Sequence, residues 1–328
     1  MTVRLAPSAT ALWDDAPRPE GTPSWRCALV NNMPDGAFDA TERQYLDLLN
    51  EGSGSEVIEV RRCTMAGVPR GDKTSSRIAE QFSPLESIYD DPPNLLIVTG
   101  SNPIERHIQD EAYWPDLVEL LSWGRIHVRS MLLSCLAAHA AATVFDDIPR
   151  VNLLSKHTGV FSQAVKPGHP LNAGVESVIL LPHSRWNTVP TEQLVHAGYE
   201  AAVESDDGWA IVTRDEVNCQ LVLVQGHPEY DPSSLLREYR RDAGRYVHHE
   251  REELPYLPFH CVSAEDWPAL QLLHHQIITG QRDPILIDSY PFDEVGARAP
   301  WPWHDMAIRF YANWLSRAKP REDPVDAR

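Results

Sequence analysis

No apolar run in this chain approaches the roughly 18–20 residues that cross a bilayer, so a membrane-spanning helix is not expected. The first residues lack the charged-then-apolar pattern of a signal peptide, and export is not expected either. Basic residues are scarce: 29 Lys and Arg stand against 47 Asp and Glu, a formal charge of −18. That balance disfavours nucleic acid and anionic membrane as partners, and an anionic small ligand needs a local basic pocket. Cysteine is sparse as well. Cys27, Cys63, Cys135, Cys219 and Cys261 are scattered and odd in number, with no CxxC pair. Neither a disulfide framework nor a zinc knuckle is suggested, and reduced cytoplasm fits best. Internal repeats and low-complexity tracts are missing.

What is present is enough apolar material for a sizeable core: 42% of 328 residues are hydrophobic, and the mean hydropathy of −0.35 is ordinary for a soluble protein. Residues 1–24, rich in Pro, Ala and acidic residues, read as a flexible extension. A single domain is expected over 25–316, with 251–297 as an insertion or cap and 317–328 as a flexible tail. A buried strand over 25–30, a helix over 41–49 and a strand over 57–60 give the strand–helix–strand opening of a parallel sheet. Residues 94–100 form a further buried strand with a glycine turn, and 114–123 a helix with proline in its first turn. Residues 126–133 read as a strand leading to Cys135, and a small-residue helix runs on to about Phe145. From Asn152 the pattern turns to added β segments at 158–161, 175–181, 208–213 and 220–225. The polar cluster Pro182-His183-Ser184-Arg185-Trp186-Asn187 follows the second of these. A helix from about Ser233 carries Glu238 and Arg241 on one face. Further helices are expected over 267–278 and 305–315.

The chemistry concentrates on Cys135, where a strand hands over to a helix. A thiol there is drawn toward thiolate by the helix dipole, and flanking N–H groups can receive a developing oxyanion. On local sequence alone Cys135 reads first as a buried core thiol. His227-Pro228-Glu229 reverses that reading. The proline stiffens the backbone, and alternation about it sends His227 and Glu229 to the same side. Glu229 can then hold one imidazole nitrogen while the other faces Cys135, the arrangement a thiol nucleophile requires.

With these residues placed, the chain resembles the homoserine O-succinyltransferase family of the class I glutamine amidotransferase-like superfamily. The matching segments are Asn32-Met33-Pro34 with Thr41-Glu42 and Gln44, Ile97-Val98-Thr99-Gly100, and Ala112-Tyr113-Trp114-Pro115. They continue with Cys135 and its flanks, Lys156 before Gly159, Pro182-His183-Ser184-Arg185, Gly226-His227-Pro228-Glu229-Tyr230-Asp231 with Glu238-Tyr239 and Arg241-Asp242, and Asn313-Trp314-Leu315. The resemblance implies an α/β, flavodoxin-like, mostly parallel sheet flanked by helices. It implies ping-pong acyl transfer: Cys135 takes an acyl group from acyl-CoA and passes it to an amino-acid hydroxyl, His227 is the base and Glu229 orients it. By the same resemblance Arg241 pairs with the amino-acid carboxylate, while Ser184, Lys156 and Glu238 line that pocket. N–H groups at Leu136 and in the loop from Ser101 would hold the oxyanion, on the order of 3 kcal/mol per donor. Small-molecule substrates, a homodimer, and acyl-CoA as co-substrate with no permanently bound cofactor or metal complete the expectation.

Departures from the family pattern leave specificity open. Asp35-Gly36 stand where relatives often carry lysines, reversing charge near the proposed pocket. The loop after Gly100 usually holds a residue associated with acyl choice, Gly for succinyl or Glu for acetyl. A gapless match places Ile104 there and a one-residue shift places Glu105. The donor is thus succinyl- or acetyl-CoA, and the acceptor homoserine or serine. The rival readings are a glutamine amidotransferase-like cysteine hydrolase and a non-catalytic binding protein. Against the first, the nucleophile turn lacks the Gly-x-Cys-x-Gly of glutaminases. Adjacent His248-His249 and His274-His275 do not make metal sites, since neighbours on a helix point about 100° apart. Trp114, Trp123, Trp301 and Trp303 read as core and lid.

Overall fold

The computed structural model describes residues 2–6, 23–280 and 282–318. In chain order its elements are β1 (Val3–Leu5), β2 (Trp25–Val30), α1 (Asp35–Gly52), β3 (Ile58–Cys63), α2 (Asp72–Gln81), α3 (Ser87–Asp90), β4 (Leu95–Val98), α4 (Trp114–His127), β5 (Ser130–Ser134) and α5 (Leu136–Asp146). Then follow β6 (Val151–Val165), β7 (Val178–Thr188), α6 (Thr191–His196), β8 (Glu200–Ser205), β9 (Gly208–Asp215), β10 (Gln220–Val224), α7 (Ser234–Val247), α8 (Trp267–Thr279), α9 (Ile285–Ser289), α10 (Phe292–Ala297) and α11 (His304–Arg317).

Among the described residues the strands form one sheet in the order β1-β3-β2-β4-β5-β10-β9-β8-β6-β7. The first six run parallel, and the remaining four continue antiparallel. The central parallel strands β2, β4, β5 and β10 are buried on both faces, which is why they read as largely apolar runs. Successive residues still go to opposite cores. Leu132, Val222 and Val224 point to the side of α1, α7 and α11, and Met131, Leu133, Leu221 and Leu223 to the side of α4 and α5. The alanines of α5 are fully buried and let that helix lie close against the sheet. Trp314 of α11 donates to Ser130 Oγ at 2.8 Å, fixing the last helix to the middle of the sheet.

Four expectations are corrected. Residues 3–5 are not a loose extension but an edge strand, paired in parallel with β3 over Val3↔Ile58 to Leu5↔Val60; 7–22 and 319–328 lie outside the described residues. Ile126 and His127 belong to α4, not to the strand before Cys135, because the helix runs on until Val128 turns extended. The Pro182–Asn187 cluster does not follow a strand but lies within β7, paired with β6 from Gly159↔His183 to His157↔Arg185. β8 and α6 were not foreseen: Glu200 and Ser205 at the ends of β8 mask its short apolar centre.

Residues 251–297 pack into the same core as α7, through Cys261, Val262, Leu270, Leu273, Ile287, Phe292 and Val295. Their first part is tied to β6 by backbone hydrogen bonds, Val160 N to Phe259 O at 2.8 Å and Phe259 N to Thr158 O at 3.2 Å. Gly159 makes this approach possible, since its φ of 141° and a Cβ only 2.6 Å from Phe259 N exclude a side chain.

Candidate active site

The parallel pair β5 and β10 lies in register, Leu133 beside Leu223 and Ser134 beside Val224. Their carboxyl ends therefore deliver Cys135 and the 226–229 turn to one place, the usual position of a site in an open α/β sheet. Cys135 N donates to Val224 O at 2.7 Å and His227 N to Pro182 O at 2.8 Å. Cys135 sits at φ 49°, a left-handed conformation that a side chain other than glycine's adopts at a cost. The strain raises the thiol out of the strand onto the N-terminus of α5, where the Leu136 N–H has no intrahelical partner. Gly100 faces the same spot: a Cβ there would stand 3.4 Å from Cys135 Cβ and 3.5 Å from Leu136 N. Its lack of a side chain leaves room for an oxyanion.

His227 Nδ1 and Glu229 Oε1 are 2.8 Å apart, and both side chains are buried. Nε2 is buried without a hydrogen-bond partner among the described residues, and it is the nitrogen left to face Cys135, whose thiol interacts with this ring. Burial works most strongly against the imidazolium. The charge of Glu229, its hydrogen bond with Nδ1 and the nearby Cys135 outweigh it and hold His227 well above its ordinary pKa. The neighbouring histidines go the other way. Burial first, then the Arg185 charge among other causes, holds His183 far down and pushes His157 to about 4. His139 is pushed to about 3, although Gln225 Oε1 lies 2.9 Å from its Nε2. Burial and charge thus set His227 apart from the three histidines near it, the kind of separation that makes an acid–base candidate. Tyr230 stacks on His227 at 4.2 Å between ring centroids, and Trp303 and Trp301 donate to Tyr230 O at 2.7 and 3.1 Å, clamping the turn.

In front of this line lies a cleft of about 900 Å³, counting its open mouth, lined by Cys135, Leu136, Ser101, Lys156, Ser184, His227, Glu238 and Arg241 among others. Glu238 is its hub. Its Oε1 accepts from Tyr230 Oη at 2.5 Å, its Oε2 accepts from Ser184 Oγ, and Lys156 Nζ lies 3.5 Å away. Burial pushes the Glu238 carboxyl up, but Lys156, Arg241 and the two hydroxyls together hold it below the usual range. Lys156 also reaches Asp242 at 3.1 Å, and Arg241 pairs with Asp242 at 2.8 Å while staying a third exposed.

Two expected specificity residues are not brought to the cleft. Ile104 is 70% exposed, and the N–H groups of Ile104 and Glu105 are both taken by Glu111 Oε1, at 2.6 and 2.7 Å. A buried carboxylate thus ties this loop outward, with only Ser101, Asn102 and Pro103 left on the cleft wall. Ser101 Oγ lies 2.6 Å from Tyr113 Oη. Asp35 does not reverse the charge of the cleft either, because it turns away to Gly71 N at 2.8 Å and Arg70 at 3.7 Å. Sequence reasoning missed the roles of Tyr230, Asp242, Arg150 and His139 in the lining. Tyr230 and Asp242 stood inside quoted motifs; Arg150 and His139 carried no signal.

Fold and cleft together define a class: an α/β protein with a cysteine raised at the strand-to-helix turn of a mostly parallel sheet, beside a buried His–Glu pair. Residues 15–324 match the sequence model described as "HTS: Homoserine O-succinyltransferase", and the chain belongs to this family of acyltransferases. It is 34% identical over 290 residues to the homoserine O-succinyltransferase of Methylococcus capsulatus, covering 88% of this chain and 82% of that protein. The Bradyrhizobium japonicum homoserine O-succinyltransferase is 36% identical over 264 residues, covering 80% and 81%. Among solved structures, a glutamine amido transferase from Methylobacillus flagellatus superposes at TM-score 0.48 with 15% identity, over 92% of this chain and 98% of that one.

Proposed function

We propose that the protein is an acyl-CoA-dependent homoserine O-acyltransferase of methionine biosynthesis, working through a thioester on Cys135. The observation that carries this reading is the buried His227, held by Glu229 on Nδ1 and left unpartnered on the nitrogen facing Cys135. An imidazolium beside a thiol favours the thiolate. The thiolate attacks the thioester carbonyl, and the Leu136 N–H receives the oxyanion as the C–S bond to CoA breaks. His227 gives its proton to the departing CoA sulfur. Now neutral, His227 takes the proton from the homoserine hydroxyl as that oxygen attacks the Cys135 thioester, and the Cys135 thiolate is restored. Glu229 balances the imidazolium and fixes the ring.

Homoserine is seated on the α7 side of the cleft. Its carboxylate meets the planar fork of Arg241, and its ammonium lies toward Glu238. Arg241→Ala is then expected to raise the homoserine KM at least tenfold while leaving the acyl-CoA KM within about twofold. Steady-state kinetics with each substrate varied in turn checks this, and equal rises in both would remove Arg241 from the acceptor seat.

The reading is tested by incubating the protein with succinyl-CoA or acetyl-CoA in the absence of acceptor and weighing it intact. A mass increase equal to one acyl group, absent in Cys135→Ala and discharged by homoserine, supports it; discharge by serine instead would move the acceptor assignment. Glutamine hydrolysis with no adduct from either donor would replace it by the cysteine hydrolase reading.

A further inference from the structure

The chain carries a formal charge of −18, yet two shielded cations lining the cleft have no acid within ion-pair distance among the described residues. Arg185, on β7, is 5% exposed. Its Nη1 donates to Asn187 O at 3.1 Å, and its Nε is buried without a partner. Arg150, between α5 and β6, is half-buried on the same cleft wall, and it makes no hydrogen bond or ion pair among the described residues. The other shielded cations of the cleft are committed, Lys156 and Arg241 to Glu238 and Asp242 and Arg251 to Asp242 and Glu253, while Arg245 is exposed to solvent. Glu111 faces Arg150 only at longer range, its Oε1 spent on the Ile104 and Glu105 N–H groups. Asp207 faces Arg185 at a distance, and burial holds the three histidines near it, His139, His157 and His183, below their ordinary pKa.

A buried charge without a partner is costly, and proteins rarely keep one that serves only the fold. Both guanidinium groups lie close enough to Cys135 to feel a charge on its sulfur. Both line the cleft and both act on His139, Arg150 within electrostatic reach of Tyr113 and Arg185 next to Ser184 in the chain. Planar forks with free donors suit a carboxylate. We infer that Arg150 and Arg185 receive the free carboxylate at the far end of a dicarboxylic acyl group carried on Cys135. The acceptor's own carboxylate has a separate seat at Arg241. Acyl choice then rests on a pair of cations lining the cleft and not on the loop position Ile104, which is 70% exposed.

This inference rests on the reading of Cys135 as acyl carrier, and the test separates the two. The full chain is offered succinyl-CoA or butyryl-CoA, equal in carbon count but differing in the terminal carboxylate, and kcat/KM is measured for each. Arg185→Gln and Arg150→Gln are expected to lower the succinyl-to-butyryl ratio by about 10- to 100-fold, the size of a lost charge-assisted hydrogen bond. Arg185→Lys restores part of it. Because Arg185 is unpaired, Arg185→Gln is not expected to lower the melting temperature of the free protein. A ratio unmoved in both variants, or a parallel fall with both donors, overturns the inference while leaving the acyl-carrier reading intact. A wild-type chain acylated by acetyl-CoA but by neither of these thioesters overturns the inference alone, and one acylated by none of the three overturns both.

Discussion

Cys135→Ala is expected to lower acyl transfer by about 100,000-fold or more in kcat, and adding Glu229→Gln to it to lower the rate no further. Residues that act as one unit fail together, so the second substitution has nothing left to remove. Glu229→Gln alone should cost about 1,000- to 10,000-fold in kcat, because an amide can still touch Nδ1 but no longer balances the imidazolium or fixes the productive tautomer. The fold is expected to survive, since Gln fills the same volume behind the ring. A pH signature accompanies the rate. The folded pKa of His227 is raised above its ordinary value, so the protonated pair contributes stability in full below the unfolded value. That contribution is lost as pH rises through the raised folded value, which places the window on the alkaline side of about pH 6.5. In Glu229→Gln this component should shrink, so the stability gap between wild type and variant narrows as pH rises. Rapid-quench turnover and denaturation at several pH values check both parts; an undiminished rate in Glu229→Gln would take Glu229 out of the catalytic line.

How much of this was legible in the sequence depends on whether a feature is local. The Cys135 turn was readable because an apolar run and a small-residue run meet at one residue, and alternation about Pro228 put His227 and Glu229 on the same side. That β5 and β10 are neighbours is a fact of sheet order, which no spacing between Cys135 and His227 reveals. β7 was cut short in the reading because its second half faces the cleft. His183, Ser184 and Arg185 are polar where a strand usually turns apolar residues inward, and the pairing with β6 is what shows they are strand. β1 is three residues long and carries too little pattern to be seen. The least legible property was the solitude of Arg185. An unpaired guanidinium is defined by what every other element fails to supply, and only the assembled cleft shows it.

The Thr41-Glu42 block, one of the segments carrying the family resemblance, turns out to hold the fold and not the chemistry. Glu42 of α1 is fully buried, its Oε1 2.5 Å from Arg62 Nη1 and its Oε2 2.6 Å from Arg77 Nη2. The Arg62 side chain is itself wholly buried, with its guanidinium 5.1 Å from the Phe82 ring, which stacks on Phe38. One carboxylate therefore neutralises two cations that join α1, β3 and α2 under an aromatic pair. Glu42→Leu removes the buried acceptor that Arg62 and Arg77 share and puts no charge in its place, a change expected to cost about 3–5 kcal/mol. On a chain of this size that corresponds to a fall in Tm on the order of 10 °C. Adding Arg62→Met should recover much of the loss, since a buried pair replaced by apolar side chains is often near neutral while a broken pair is not. Glu42 does not line the cleft, so kcat measured well below Tm should stay within about twofold of wild type. Calorimetry of the two variants beside a low-temperature activity assay decides the matter: an unchanged Tm in Glu42→Leu, or a large loss of kcat in a folded sample, would return this block to the active site.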